Sequence, residues 1–331
     1  MDDLLTIIIR TMPGREQFLD CCLLNLSWQQ YKKIELVLVA QTVQENENFD
    51  KLQALLQLWQ PYFPNLQLLT HFSQSDARAH SLNLGLEHAN GRYIAFLDDD
   101  DKIYPGHYSL LMKSLQASDY VWAYCDIVRA LYNKHGQLIS RSMPFRRSSY
   151  SFIHHLKNNF IPIHSFILDR QNIPNLVKVD ERLSFHEDYA FLLQLAALYP
   201  PLYVPGIGAE YCIREDGTNT IISGIYDGEN RFKKHKNWTL SEQLMQEKKK
   251  NLVGWWFKEL DNYPIESTAY QEKWFYKIIR KFYLKNTGII HSIWNKLIDK
   301  ASEKISFRLD SLELKIEQQQ KILEKIDKKL N

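Results

Sequence analysis

Four short apolar runs, at residues 4–9, 34–39, 66–70 and 93–97, alternate with three stretches of helical periodicity at 16–26, 52–59 and 77–89. Each run is too short for a buried helix and too continuous for a strand with one wet face, so each reads as a strand covered on both sides. Repeated strand–helix order of this kind predicts an α/β fold built on a Rossmann-like, mostly parallel sheet wound on both faces. The punctuation agrees: Pro13-Gly14 turns the chain after the first strand, and Asn90-Gly91 stops the third helix. Ligands of such sheets bind beyond the carboxyl ends of the strands, where Arg10, Gln41 and Asp98 to Asp101 fall.

The fourth apolar run leads directly into Asp98-Asp99-Asp100-Asp101. Carboxylates crowded at the end of a buried strand repel one another unless protons or a cation neutralise them. Hard oxygen ligands favour Mg²⁺ or Mn²⁺, and a site with one or two protein carboxylates leaves room for water and substrate phosphates. An isolated acidic run is as often a solvated turn capping the next helix. The buried strand just before it tips the reading towards a site.

Several stretches resemble family 2 glycosyltransferases of the GT-A fold, in particular bacterial enzymes that build O-antigen, capsule and other surface polysaccharides. Ile7-Ile8-Ile9-Arg10-Thr11 through Arg15 is similar to the family's opening strand and loop. The signature stretch is matched by Arg78-Ala79-His80-Ser81-Leu82-Asn83, then Gly91-Arg92-Tyr93-Ile94-Ala95-Phe96-Leu97 and the aspartates, then Pro105. Phe160-Ile161-Pro162-Ile163-His164-Ser165 resembles the acceptor-side strand, and Phe185-His186-Glu187-Asp188-Tyr189 the segment carrying the catalytic base. The four matches occur in the family's order over about two thirds of the chain.

That resemblance implies an inverting transfer of a sugar from a nucleoside-diphosphate-sugar donor. Asp98 and Asp100 form the Asp-x-Asp motif, Asp98 towards the donor ribose and Asp100, with Asp98, towards a bridging Mn²⁺ or Mg²⁺, with Asp99 in support. Asp188 is the expected base, and Glu187 beside it the expected contact to an acceptor hydroxyl. Thr11, Arg15, Arg78 and Asn83 are expected at the nucleotide, and His164 and Arg214 at the sugar, acceptor or diphosphate. Two departures stand out. Ala40-Gln41-Thr42 replaces a common acidic pair, leaving Gln41 to read the base by amide hydrogen bonds. The stretch Tyr211 to Asn219 matches only loosely where relatives often place a His or Arg near the diphosphate, with Arg214 as the fixed cation there. Without the resemblance, Glu187-Asp188 is equally an acidic helix start worth about 0.3–1 kcal/mol against the helix dipole.

Charge divides the chain. Residues 1–230 hold 19 basic and 26 acidic side chains, a net of −7, whereas residues 231–308 hold 17 and 8, a net of +9. The expected domains are therefore 1–228, a GT-A catalytic domain; 229–302, a basic, aromatic-rich helical extension; and 303–331, a coiled-coil helix. In the extension, Trp255-Trp256-Phe257, Trp274-Phe275-Tyr276 and Trp294 are interleaved with Lys273, Lys277, Arg280 and Lys281. Such helices can lie on an anionic membrane surface, or their aromatics can pack onto the catalytic domain. No nucleic-acid module accompanies them, so nucleic acid is not an expected partner. Ile305, Leu309, Leu312, Ile316, Gln319, Leu323, Ile326 and Leu330 step by 4 and 3 in turn, a heptad seam that predicts a homo-oligomer.

The chain opens Met1-Asp2-Asp3, acidic where a secretory leader is basic, and no run reaches about 18 apolar residues. Cys21, Cys22, Cys125 and Cys212 form no Cys-x-x-Cys pair. The expectation is a cytoplasmic protein, peripheral at the inner face of the bacterial membrane, acting on a lipid-linked glycan acceptor. The alternatives are a catalytically silent scaffold of a glycan-assembly complex and a sugar-phosphate nucleotidyltransferase. The latter lacks a Gly-rich basic phosphate loop.

Overall fold

The computed structural model describes residues 3–45, 48–145, 149–174, 176, 178–215, 228–252, 254–256 and 259, with the backbone alone described for 228–236. All belong to one unit, Met1–Asn262. The first half follows the alternation: β1 (Leu5–Thr11), α1 (Glu16–Ser27), β2 (Ile34–Thr42), α2 (Asp50–Trp59), β3 (Leu66–Phe72), α3 (Arg78–His88) and β4 (Tyr93–Asp98). β1 lies between β2 and β4, and β3 pairs with β2, all in parallel. Successive strand residues face opposite ways. Ile8, Val37, Val39, Ile94 and Phe96 therefore enter one apolar layer, and Ile7, Ile9, Leu36, Leu38 and Leu97 the other. Two covered faces account for the unbroken apolar runs, each such side chain contributing about 1.5–3 kcal/mol on burial.

Close packing at the start of β4 requires Gly91. A Cβ there would lie 2.6 Å from the Leu4 carbonyl oxygen, and the Gly91 N–H donates to Thr6 Oγ1 at 2.8 Å.

Beyond the aspartates the regular strand–helix alternation gives way to mixed pairing. The chain continues as β5 (Lys102–Ile103), α4 (His107–Gln116), β6 (Trp122–Tyr132), β7 (Leu138–Ser142), α5 (Phe152–Lys157), β8 (Phe166–Asp169), α6 (Glu187–Leu198), β9 (Leu202–Arg214) and α7 (Gly228–Lys250). β8 inserts antiparallel between β4 and β6, β9 runs parallel to β6, and β5 and β7 pair antiparallel with β9 and β6. The order is β3-β2-β1-β4-β8-β6-β9-β5 with β7 on β6. The sheet is mixed rather than mostly parallel: its first four strands and the β6–β9 pair run parallel, and the other pairings are antiparallel. Opposite Cys125, Asp126 and Ile127 of β6, β9 carries extra residues at Pro205-Gly206 and Gly208, and it bends there.

Trp255 and Trp256 take the packed place rather than an interfacial one. Trp255 Nε1 donates to the Ala196 carbonyl at 2.8 Å, and Trp256 stacks on Phe152 at 5.0 Å. Glu259 accepts hydrogen bonds from Ser151 Oγ and the Phe152 N–H at the start of α5. No described helix is long and apolar enough to cross a membrane. The basic and aromatic residues from 273 to 296, and the heptad seam of 303–331, lie outside the described residues.

Candidate active site

The carboxyl ends of β1, β2 and β4 deliver Arg10, Thr11, Gln41 and Asp98 to one edge of the sheet, and the amino end of α6 brings Glu187 and Asp188 to the same place. Two adjoining clefts open there, of about 290 and 130 Å³, and both are lined by Arg10, Arg78, Asp98 and Asp100. The larger adds His164, Tyr211, Phe185 and Asp188; the smaller adds Thr11, Arg15, Gln41 and Asp99.

The four aspartates divide by parity. Asp99 and Asp101 are buried and held by protein groups. Asp99 accepts from Thr11 Oγ1 at 2.7 Å and from Arg15 Nε and Nη2 at 2.9 and 2.6 Å. Asp101 accepts from the Cys212 N–H at 2.8 Å and lies 2.9 Å from His164 Nδ1. Asp98 and Asp100 line both clefts, whereas Asp99 reaches only the smaller one and Asp101 neither. Arg10, paired with Asp98 in the β1–β4 register, donates to both its carboxylate oxygens at 2.7 and 2.8 Å. Arg15 and Arg214 approach Asp100 at 3.2 and 3.3 Å, and both guanidiniums lie over the Phe18 ring. Burial, then the charges of Asp101, Asp99 and Asp98, push Asp100 up to about 7. Burial also raises Asp99 against the opposing pull of Arg15.

Glu187 and Asp188 are driven in opposite directions. Glu187 is 3% exposed; Arg10 Nη1 donates to it at 2.8 Å and Arg78 Nη1 stands at 3.7 Å. Burial alone would raise its carboxyl, but the Arg78 and Arg10 guanidiniums hold it down to about 2. Asp188, partly exposed to the larger cleft, is pushed up to about 6 by desolvation and by the neighbouring Glu187 charge. Two adjacent carboxyls pushed apart in this way are suited to different tasks. Glu187, expected at an acceptor hydroxyl, lines the larger cleft and pairs with the two arginines.

Other expected residues separate similarly. Arg78 donates to the Ser184 carbonyl at 2.5 Å and to Asp76 at 2.9 Å, and lines both clefts. Gln41 lines the smaller cleft, yet its amide donates to the Ser75 carbonyl and accepts from the Ala77 N–H, so base recognition would have to displace those bonds. Asn83 is not among the residues lining either cleft. Its amide donates to the Val179 carbonyl and accepts from the Val179 N–H, bracing the segment before α6. His164 is buried against the larger cleft beside Tyr211; burial disfavours its charge, but Asp101 raises its basicity overall. Phe145, Asn159, Phe185 and Tyr211 also line the cleft without having been named from sequence as site residues. Of these, Phe185 opens the matched segment that carries Glu187 and Asp188, and Tyr211 lies three residues before Arg214.

Among the described residues, no group of three or more His, Cys, Asp or Glu side chains is arranged to hold a metal. What the site offers is two cleft-facing carboxylates, a set of arginines suited to phosphate oxygens, and one carboxylate of raised basicity across the cleft.

Comparison with known proteins places this arrangement. The uncharacterized glycosyltransferase YibD of Escherichia coli K12 is 27% identical over 122 residues, 37% of this chain and 33% of that one. Staphylococcus aureus TarS superposes with a TM-score of 0.50 at 16% identity, over 63% of this chain and 37% of that chain. A crystal structure of TarS 1-349 in complex with UDP-GlcNAc gives 0.50 at 16% identity, over 70% and 64%. The chain thus spans about a third of the curated relative and under two thirds of these solved chains, which are alike in fold. The family model described as glycosyl transferase family 2 matches residues 6–183, from β1 past the aspartates to the approach to α6. With more than half its length in that match, and with the mixed α/β sheet of the GT-A fold, the chain belongs to glycosyl transferase family 2.

Proposed function

We propose that the protein transfers a sugar, with inversion, from a nucleoside-diphosphate-sugar donor to a hydroxyl of a lipid-linked glycan acceptor in bacterial surface polysaccharide synthesis. The observation that carries this reading is the shared cleft: Asp188, its basicity raised, faces the same space as Asp98, Asp100, Arg10 and Arg78. A base near the operating pH accepts a proton without a large penalty while remaining ionised. Asp188 takes the acceptor hydroxyl's proton as that oxygen bonds to the anomeric carbon, and the departing diphosphate keeps the electron pair of the broken C–O bond. Arg15, Arg78 and Arg214 offset the negative charge that appears there. The UDP-GlcNAc complex of TarS supports a nucleotide-sugar donor in this fold.

The residues fit a divalent cation that arrives with the diphosphate. Two carboxylates, Asp100 and Asp98, with substrate phosphates and water, complete the hard oxygen set that Mg²⁺ or Mn²⁺ prefers. The crowding that raises Asp100 is what a cation would relieve. Bound there, the ion supplies Lewis-acid stabilisation of the leaving group. Residues 1–228, with α7 and the stretch to Glu259 that packs against them, are proposed as the catalytic domain, the rest of 229–302 as the segment that meets an anionic membrane surface at the cytoplasmic face, and 303–331 as the oligomerising helix.

Thermal melting with UDP, dTDP, GDP and CMP, each with and without Mn²⁺, tests the donor site. A nucleotide at about 100 times its dissociation constant adds roughly 2.7 kcal/mol. The expected result is stabilisation by one nucleotide only with metal, abolished by Asp100→Ala. Wild-type protein that no nucleotide stabilises would contradict the proposal.

A further inference from the structure

His186, immediately before Glu187 and Asp188, has φ +66°, and is the non-glycine residue with positive φ among those described. Side chains other than glycine adopt that conformation only where their surroundings over-determine it, and such residues gather at functional sites. Here the surroundings come from α7. The hydroxyl of Ser241, 1% exposed, accepts from the Ser184 N–H at 3.2 Å. Trp238 stacks on Phe185, with ring centres 4.9 Å apart and planes 22° apart. Glu242 lies 3.2 Å from His186 Nε2, and Lys249 sits 4.9 Å over the Tyr189 ring. One helix thus touches Ser184, Phe185, His186 and Tyr189, the residues that flank the carboxylate pair. The chain of contacts continues inward, because the Ser184 carbonyl accepts from Arg78, which stands beside Glu187 and lines both clefts.

We infer that α7 is a strap that sets Asp188 in the cleft, with Trp238 and Ser241 as positioning residues for the transfer. This rests on the reading of Asp188 as the base. It makes α7 part of the catalytic machinery, although the charge pattern groups it with the basic extension.

The test compares Trp238→Ala, Ser241→Ala and Trp238→Phe in the full chain by peptide-resolved hydrogen exchange and by kinetics at saturating donor. The two alanine variants should speed exchange across residues 184–190 by about tenfold while leaving residues 5–11 and 93–98 at the wild-type rate. They should lower kcat by about tenfold or more with nucleotide affinity unchanged, since a small misplacement of a reacting group costs rate rather than binding. Trp238→Phe, which keeps a ring on Phe185, should recover both. Unchanged exchange at 184–190, or faster exchange there with wild-type kcat, would overturn the strap. If wild-type protein binds no nucleotide, the transferase reading alone falls, and the exchange result still decides whether α7 holds the segment.

Discussion

Asp188→Asn should make the protein more stable at neutral pH while removing its activity. In the folded chain desolvation and the Glu187 charge push Asp188 up to about 6, against an ordinary value of 3.8. Its folded value thus lies above its unfolded one, so keeping the group ionised in the cleft opposes folding. Two units correspond to about 3 kcal/mol at pH 7, and to about 2 kcal/mol once contact with solvent in the cleft is allowed for. The cost is fully present above pH 6, shrinks as pH falls and Asp188 protonates, and is gone near pH 4. Asparagine keeps the acceptor oxygen used by the Tyr189 N–H and carries no charge. Melting followed by circular dichroism should therefore place the variant about 3–4 °C above wild type at pH 7, with the two curves converging towards pH 4. Equal melting temperatures at pH 7, or a gap independent of pH, would refute the account of how this carboxylate is tuned.

Further outcomes follow from the same geometry. Below pH 6, kcat/KM should fall about tenfold per pH unit as Asp188 protonates, seen in a pH–rate profile of nucleoside diphosphate release. Arg15→Lys loses the forked contact to Asp99, and should weaken nucleotide binding by about tenfold in calorimetry while melting changes little. Gly91→Ala would force a methyl group against the Leu4 carbonyl and Thr6 and should cost about 2–4 kcal/mol in denaturant unfolding, without bearing on the cleft directly.

How much of this was legible in the sequence depends on how local each cause is. β1, β2 and β4 could be read because both faces of each strand are covered, so Ile7, Ile8 and Ile9 are all apolar for reasons confined to six or seven residues. β3 lies at the sheet edge with Gln67, Thr70 and Phe72 exposed and none of its residues fully buried, and its run is correspondingly weaker. The insertion of β8 between β4 and β6 is a pairing across some 70 residues of chain, which no local period encodes. The site shows the same division. Asp98 to Asp101 announced themselves, but that Asp99 and Asp101 are braces while Asp98 and Asp100 face the cleft depends on Arg15, Thr11, His164 and Cys212 arriving from elsewhere. Asn83 sits in a matched stretch, yet its amide pairs with the Val179 backbone, a partner 96 residues away that no local pattern names. Glu187 and Asp188 are neighbours of like chemistry, and only the approach of Arg10 and Arg78 separates them. The role of α7 was invisible, since its contacts to Phe185 and Ser184 span more than 50 residues.

Turnover of the Asp188→Asn variant tests the central claim most directly. With the donor whose nucleotide stabilises wild type, and with Mn²⁺ present, nucleoside diphosphate release upon transfer to acceptor should fall about 10³-fold, while the nucleotide dissociation constant stays within about twofold of wild type. Release within about tenfold of wild type would mean that another group takes the acceptor's proton, and that the shared cleft of Asp188 and the aspartates is not the reaction centre.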